Sequence, residues 1–416
     1  MPDTLFPEDL TVDFTPTRAA GMRRLKAFMP VMGGKYASGR NHDLGPDDRS
    51  SVSCLSPWVR TRTVLESELV EAALSRFALS TAEKFVQEVC WRTYFKGWLE
   101  HRPAVWREYE AERDRQFELL GRNAGLRKTY DEAVEGRTGI DAFDFWAEEL
   151  VETGYLHNHA RMWFASIWMF TLNLPWELGA DFFLRHLMDG DAASNTLSWR
   201  WVGGLHTPGK TYLARRSNIR KYTGERFDPT GLASEAPALE GFENPGIGEL
   251  RLGGALPEGE IGLLLTEEDM NVETLRPVGS TVKALAGVSF ADHRSPHGAS
   301  AAAKAFVNGA LADALARGEA AYGVGATAFD AMMDVTGHVH DWAKAAGVDT
   351  VVTGFAPVGW VRPHIMAATR ALAEDGIRLI EFRRDWDAAF WPHARKGFFG
   401  LKKKIPDVLS ELGFAV

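Results

Sequence analysis

From about residue 15 to residue 222 the chain has no run of β-type residues, while apolar side chains recur at helical spacing, as in Phe85, Val86, Val89, Cys90 and Tyr94. That confines the first half to a helical body. Ser56-Pro57-Trp58 reads as a helix start, a capping serine followed by proline at the first helical position. The stretch GERFDPTGLASEAPALEGFENPGIG, residues 224–248, is rich in Pro and Gly and lacks periodicity, so it reads as a linker. Beyond it the texture changes. Strands are expected at Ile261–Leu265, Thr350–Thr353 and Ile377–Phe382, and helices at Ser300–Ala316 and around Ile365–Glu374. Strands alternating with helices imply a small α/β domain with a largely parallel sheet. The expected organisation is a mainly α domain over 1–225, a linker over 226–250 and the α/β domain over 251–416.

A chain of 416 residues is long enough for two or three ordinary cores. Its fourteen tryptophans exceed ordinary usage, and rings that large either fill a core or stack on planar ligands. The net charge of −9 argues against non-specific DNA binding but leaves room for a local basic face. Two cysteines, Cys54 and Cys90, make no disulfide framework and fit a reducing cytoplasm. The opening MPDTLFPEDL carries no apolar signal core. The most apolar stretch, Met162 to Leu174, falls short of the roughly 20 residues that a bilayer span needs, and reads as a buried helix.

The densest chemistry lies in FFLRHLMDGDAASNTLSWRW, where Asp189 and Asp191 flank a glycine and Asn195, Trp199 and Trp201 follow. Alone, this is a turn with capping Asp and Asn beside core aromatics. Two other segments give it a second meaning. In KFVQEVCWRTYF, Glu88, Trp91 and Arg92 fall at i, i+3 and i+4 and share one helix face. In GYLHNHARMWF, Asn158, Arg161 and Met162 do the same. Such stripes line a polar cavity, and a buried Arg161 needs an anion that Asp189 or Asp191 supplies.

These segments resemble, in order along the chain, the FAD-binding domain of DNA photolyases and cryptochromes. FTPTRAAGMRRLKAF resembles the opening of that domain and KYASGRN its tyrosine-and-arginine element. SSVSCLSPWVR is similar to its serine-rich phosphate loop, EVCWRTYF to ExxWREFY and GRTGIDAFD to GKTGYPIVD. YLHNHARM is similar to WMHNRxRM, and DGDAASNTLSWRW to DGDxAxNNGGWQW. The likeness covers roughly residues 15–225. It implies that Tyr36 packs on FAD, and that Ser53 and Ser56 with the backbone of Val52, Cys54 and Leu55 hold the pyrophosphate. Arg92 and Asn158 would line the flavin cavity, Arg161 would pair with Asp189, Asp191 would lie near the flavin ring, and Asn195 would face flavin N5. Arg40 would contact damaged DNA, while Glu88, Trp91, Met162 and Trp201 would receive a flipped-out pyrimidine dimer. Trp199 and Trp176 match the inner photoreduction tryptophans; Phe117 stands near the third, for which Trp106 or Trp168 would substitute. Arg200, Lys210, Arg215, Arg216, Arg220 and Lys221 would form a DNA-facing patch.

The implied activity is blue-light-driven dimer repair in the cytoplasm, with no membrane partner and no metal; a signalling photoreceptor of the cryptochrome kind is the alternative, and a flavin-free interaction scaffold a third. Antenna pigment and protein partners are not legible. The flanking histidines His157 and His159 spell HNH, too short a motif to imply a nuclease. Family members begin with an α/β domain, whereas here the α/β-like segment follows the helical core. That order implies a circular permutation, or else an unrelated domain fused behind the core. GVGATAFD lacks a dinucleotide fingerprint's third glycine and follows no clear strand.

Overall fold

The computed structural model describes residues 12–416, so the acidic opening decapeptide lies outside the described residues. The helical half contains α1 (Arg18–Phe28), α2 (Gly34–Gly39), α3 (Ser56–Arg60), α4 (Glu66–Leu74), α5 (Leu79–Glu100) and α6 (Ala104–Arg122). It continues with α7 (Ala124–Val134), α8 (Asp141–Thr153), α9 (Asn158–Ser166), α10 (Trp176–His186), α11 (Ala192–Val202) and α12 (Arg216–Tyr222). The apolar stretch after Met162 is the buried end of α9, which widens into a π-helical turn over Ile167–Thr171. At α3 the expected cap is displaced by one residue. Ser56 is the first helical residue, and Leu55 precedes it with no side-chain hydrogen bond. No helix among the described residues is long and apolar enough to cross a membrane.

Residues 227–258 form no helix or strand, as expected of a linker, but they do not hang free. Leu239 N–H donates to Gly203 O at 2.9 Å, and Gly248 N–H to His101 O at 2.8 Å.

The second half holds β1 (Gly259–Thr266), α13 (Val272–Leu275), β2 (Ser280–Ser289), α14 (Ala301–Tyr322), β3 (Ala326–Asp330) and α15 (Val335–Ala346). Then follow β4 (Thr350–Gly354), α16 (Arg362–Glu374), β5 (Arg378–Phe382), α17 (Asp385–Phe390), α18 (Phe398–Lys402) and α19 (Ile405–Glu411). The five strands pair in parallel in the order β3-β2-β1-β4-β5. Sequence reading misses β2, whose apolar residues are interrupted by Lys283 and Gly287, and β3, which GVGATAFD itself forms. The pleat sorts the core. Leu263, Leu285 and Val352 pair across the sheet and pack with Val307, Leu311 and Leu315 of α14. Leu264, Ala286 and Val351 face the other way and join one continuous core with the helical half.

In a doubly wound sheet the carboxyl ends of the strands frame a crevice where the order reverses, here between β1 and β4. In this chain the helical half meets the carboxyl end of β1. Arg60 at the end of α3 donates to Glu267 O at 3.1 Å and to Glu268 Oε1 at 2.9 Å, just beyond β1. Arg62 reaches both oxygens of Asp387 at 2.7 Å, and Trp386 Nε1 donates to Thr93 Oγ1 at 2.9 Å. Val358 N–H and Arg362 both donate to Glu100 at the end of α5, each at 2.6 Å. The two halves are therefore joined by buried, paired polar groups as well as by apolar area.

Candidate functional site

Three elements converge on the loop between α10 and α11. From α9, Arg161 Nη2 donates to Asp189 Oδ2 at 2.9 Å, and its Nε to Leu156 O at 2.9 Å. From α5, Arg92 Nη2 donates to Asp191 Oδ2 at 3.1 Å. From α3, Arg60 Nε donates to Gly190 O at 2.8 Å. Gly190 is small for a reason: a Cβ there would stand 3.1 Å from the carbonyl oxygens of both Leu184 and Leu187. Asp191 also caps α11, its Oδ1 accepting from Ala193 N–H and Ser194 N–H at 3.1 and 2.8 Å. The pairing of Arg161 with Asp189 is the one expected from sequence.

The loop over residues 52–55 lies alongside. Arg24 is buried beneath it, donating from Nε to Ser53 O at 2.7 Å and from Nη2 to Val52 O at 2.9 Å. Cys54 sits at φ 54°, the left-handed region, which gives the loop a sharp bend. Ser53 and Ser56 remain half-buried while Val52, Cys54 and Leu55 are buried. Tyr155 joins loop and pair: the Arg49 and Arg161 guanidiniums lie 4.5 and 5.5 Å from its ring centre. Tyr36 is buried edge-on to Phe85, with ring centres 5.3 Å apart.

Several buried polar atoms at this convergence lack a protein partner: Asp189 Oδ1, Arg92 Nε, Ser194 Oγ, and Nε and Nη2 of Arg294, whose Nη1 donates to Leu187 O at 3.0 Å. Buried polar groups are nearly always hydrogen-bonded, so an acceptor, N–H donors and a hydroxyl left over beside one loop suit a ring ligand carrying both carbonyl and N–H groups. The donor and acceptor set therefore fits a flavin. Asn195 Nδ2 donates to Ala180 O at 2.8 Å, which fixes its amide. Asn158 stands exposed at the first position of α9.

The substrate-side residues are differently placed. Arg40 and Glu88 form an ion pair with each other. Burial pushes the Glu88 carboxyl above its usual range, with Arg40 pulling the other way. Trp91 lies flat against Phe398 of α18, ring centres 3.7 Å apart and planes 13° apart. Trp201 stacks on Tyr212 instead, and Met162 is half-buried. The structure thus places the four residues expected at a substrate pocket on α5, α9 and α11 but gives Trp91 and Trp201 separate aromatic partners.

Trp199 packs against α10 at Gly179, where a Cβ would come within 2.3 Å of its ring. Trp168 meets Trp199 edge-on at 6.1 Å. Trp176, three residues before Gly179, meets Tyr109 at 5.6 Å, and Tyr109 meets Trp106 at 5.2 Å. Phe117 packs on Tyr130 and His297. Arg200 does not join a basic surface: it is buried and donates to Phe242 O at 2.8 Å. Lys210, Arg215, Arg216, Arg220 and Lys221 are exposed, with Arg216 paired to Asp228 and Arg220 to Glu225. His157 caps α9 through Nδ1, and His159 stacks on Trp163 at 4.0 Å, so the HNH string is structural.

Sequence reading misses Arg60, Lys96 and Glu268. Lys96 Nζ lies 3.6 Å from Asp191 Oδ2 and 3.3 Å from Glu268 Oε2, and Arg60 completes the ring of charges. Lys96 had a local signal, since Glu88, Arg92 and Lys96 follow one another at four-residue spacing on α5. Glu268 had none, being 208 residues from Arg60.

Residues 85–247 match the family described as the FAD binding domain of DNA photolyase. The chain is 32% identical over 245 residues to a deoxyribodipyrimidine photo-lyase of Streptomyces griseus, covering 55% of this chain and 50% of that one. It is 34% identical over 221 residues to one of Thermus thermophilus, covering 52% and 49%. A cryptochrome DASH of Natronomonas pharaonis is 28% identical over 240 residues, covering 55% and 48%. The chain thus spans about half the length of the curated relatives it matches. By these matches the helical half carries, over residues 85–247, an FAD-binding domain of the DNA photolyase kind.

Proposed function

We propose that the protein performs FAD-dependent, blue-light-driven repair of cyclobutane pyrimidine dimers in DNA. The observation that carries the reading is the Arg161–Asp189 pair, with Asp189 Oδ1 and Arg92 Nε left unpartnered beside the serine loop. When bound, FAD supplies light-driven one-electron donation. The chain's own residues hold and shield. Arg161 fixes Asp189 so that its second oxygen accepts a ring N–H, and Arg92 Nε offers a donor. Ser53 and Ser56, with the backbone from Val52 to Leu55, take the diphosphate, Tyr36, Asn158 and Asn195 complete the cofactor set, and Asp191, taken up by Arg60, Arg92 and Lys96, braces the loop beside the ring. On the substrate side Trp91, Met162 and Trp201 form walls for an extruded dimer and Glu88 presents a polar edge to its bases, while Arg40 meets the DNA backbone. Trp199 and Trp176 are the proposed route for reducing the flavin. The work of the protein is positioning and exclusion of water.

We further propose that residues 251–416 are an antenna-type α/β domain placed behind the helical core rather than before it. The all-parallel five-stranded sheet, seated on the core by Arg60 and Arg362, supports that reading. A second reading, a photoreceptor that binds FAD and signals without repair, is favoured by two specific contacts. Phe398 occupies the face of Trp91, and Glu88 is engaged by Arg40. The test is a visible spectrum followed by blue-light repair of dimer-containing DNA by the wild type and by Glu88→Ala. The repair reading expects a flavin spectrum in both and repair in the wild type alone. Flavin photoreduction with no repair would transfer the case to the photoreceptor reading.

A further inference from the structure

Between Asp387 and Asp407 the chain carries no acidic residue, and Arg395, Lys396, Lys402, Lys403 and Lys404 all fall in that interval. In a chain of net charge −9 this is a local reversal of sign. A run of lysines at a helix end is ordinarily a solvated surface. Here the backbone is anchored. Arg102 Nη2 donates to Arg395 O at 2.7 Å, and the Tyr94 hydroxyl donates to Lys396 O at 2.8 Å. Phe398 lies flat on Trp91, and Lys402 Nζ reaches Glu83 at 3.2 Å. The segment thus runs back along α5, from Arg102 just past its end through Tyr94 and Trp91 to Glu83. Its backbone is bound inward and its charges are left outside. Arg395, Lys396 and Lys403 are exposed and pair with no acid among the described residues, while Lys404 meets only Asp407. Phe398 is 4% exposed, whereas Phe399 beside it is 76% exposed.

Single exposed apolar side chains are common, but this ring stands among unpaired cations on an anchored segment. That combination suits a nucleic acid: cations meet phosphates and a ring stacks on a base. The acidic remainder of the chain does not cancel the patch at contact range, because salt at 0.1 M screens charges beyond about 10 Å. A membrane surface is the poorer match. It takes a continuous apolar face, and Phe399 is the only exposed large apolar side chain between Asp387 and Asp407. We propose that this segment, which lies outside the matched residues 85–247, binds a single strand of DNA, with Arg395, Lys396 and Lys403 on phosphates and Phe399 against the face of an unstacked base. The segment seats on the helix that carries Glu88 and Trp91, so the strand it holds is the one flanking the extruded dimer. The choice of DNA rests on the repair reading.

The test is fluorescence anisotropy of a labelled, undamaged oligothymidylate titrated in the dark with the full chain. Binding is expected to weaken as salt is raised from about 50 mM to about 200 mM. The triple variant Arg395→Gln, Lys396→Gln, Lys403→Gln should bind at least about tenfold more weakly at the lower salt. Its slope of log affinity against log salt should be shallower by about 2, at about 0.7 for each lost phosphate contact. Phe399→Ala should weaken binding by at least about fivefold with the slope unchanged, and Phe399→Trp should restore it. All four side chains are exposed, so the fold is expected to hold, with circular dichroism as the control. No binding by the wild type at low salt, or affinity unchanged in the triple variant or in Phe399→Ala, would overturn the proposal. So would binding to phosphatidylserine vesicles, but not to the oligonucleotide, that the same substitutions abolish. Because the probe carries no dimer and no light is used, a wild type that binds it through these residues yet repairs nothing would sink the repair reading alone.

Discussion

Asp189 meets one arginine and keeps a buried oxygen without a partner, whereas Asp191, two residues on, is held by Arg92, Lys96, Arg60 and two backbone N–H groups. Burial alone would raise the Asp191 carboxyl, but the three cations hold it far below the usual carboxylate range. The same short loop thus contains an acid committed to the fold and an acid with capacity to spare. A ligand site in a packed core takes the second kind, because a saturated carboxylate has nothing left to offer.

The comparison breaks most visibly at Asp191. Asp191→Ala leaves three buried cations short of their anion and removes the α11 cap. A loss of about 3–5 kcal/mol is expected in denaturant unfolding. A loss below about 1 kcal/mol, the worth of an exposed pair, would mean that Asp191 is not structural. Next in size is Gly179→Ala, which drives a methyl into the Trp199 ring and is expected to cost about 1–3 kcal/mol. Asp189→Asn keeps the shape of the loop and one acceptor oxygen, and it leaves the α11 cap untouched. Its expected cost to stability, about 1 kcal/mol, is well below that of Asp191→Ala.

The pH dependence has a worked sign. Asp191 has a folded pKa below its unfolded one, so its contribution is present above about pH 4 and is lost as pH falls below that. Glu149 behaves oppositely. Burial raises its carboxyl to about 7 although Arg49 pulls it down, so its contribution is greatest below about pH 4 and shrinks as pH rises from there toward 7. Glu149→Gln should flatten the stability profile between those values, and an unchanged slope would remove Glu149 from the account. A last test is Phe398→Ala. It should leave unfolding within about 2–4 kcal/mol of the wild type, as for a buried aromatic at the molecular margin, while increasing acrylamide quenching of Trp91. No change in quenching would mean that α18 is not what shields Trp91.

The helical half was legible because its cues are local: spacing on α5 and α9, the DGD loop and the ordered motifs all sit within a few turns of one another. That Arg161 meets an acid of this loop could be read because a buried arginine demands an anion, but the loop supplies two, and the resemblance singled out Asp189. What joins the halves was not legible. Glu268 pairs with Arg60 across 208 residues, and Phe398 reaches Trp91 from the far end of the chain. No local pattern encodes such contacts. Arg200 was misplaced for a related reason, since its partners Phe242 and Asn244 lie in a linker without periodicity. β2 and β3 escaped because Lys283 and Gly287 interrupt one strand, and the other is a short edge strand that reads as a turn.

The central claim is that the spare capacity at Asp189 is the flavin's. It is tested most directly by the FAD-to-protein ratio of purified Asp189→Ala, read from the visible spectrum beside the wild type, with helical circular dichroism as the control for folding. The account predicts near one FAD per chain in the wild type and a loss of at least about tenfold in the variant, about 1.4 kcal/mol of binding, with the helices intact. A variant that keeps stoichiometric FAD would contradict it.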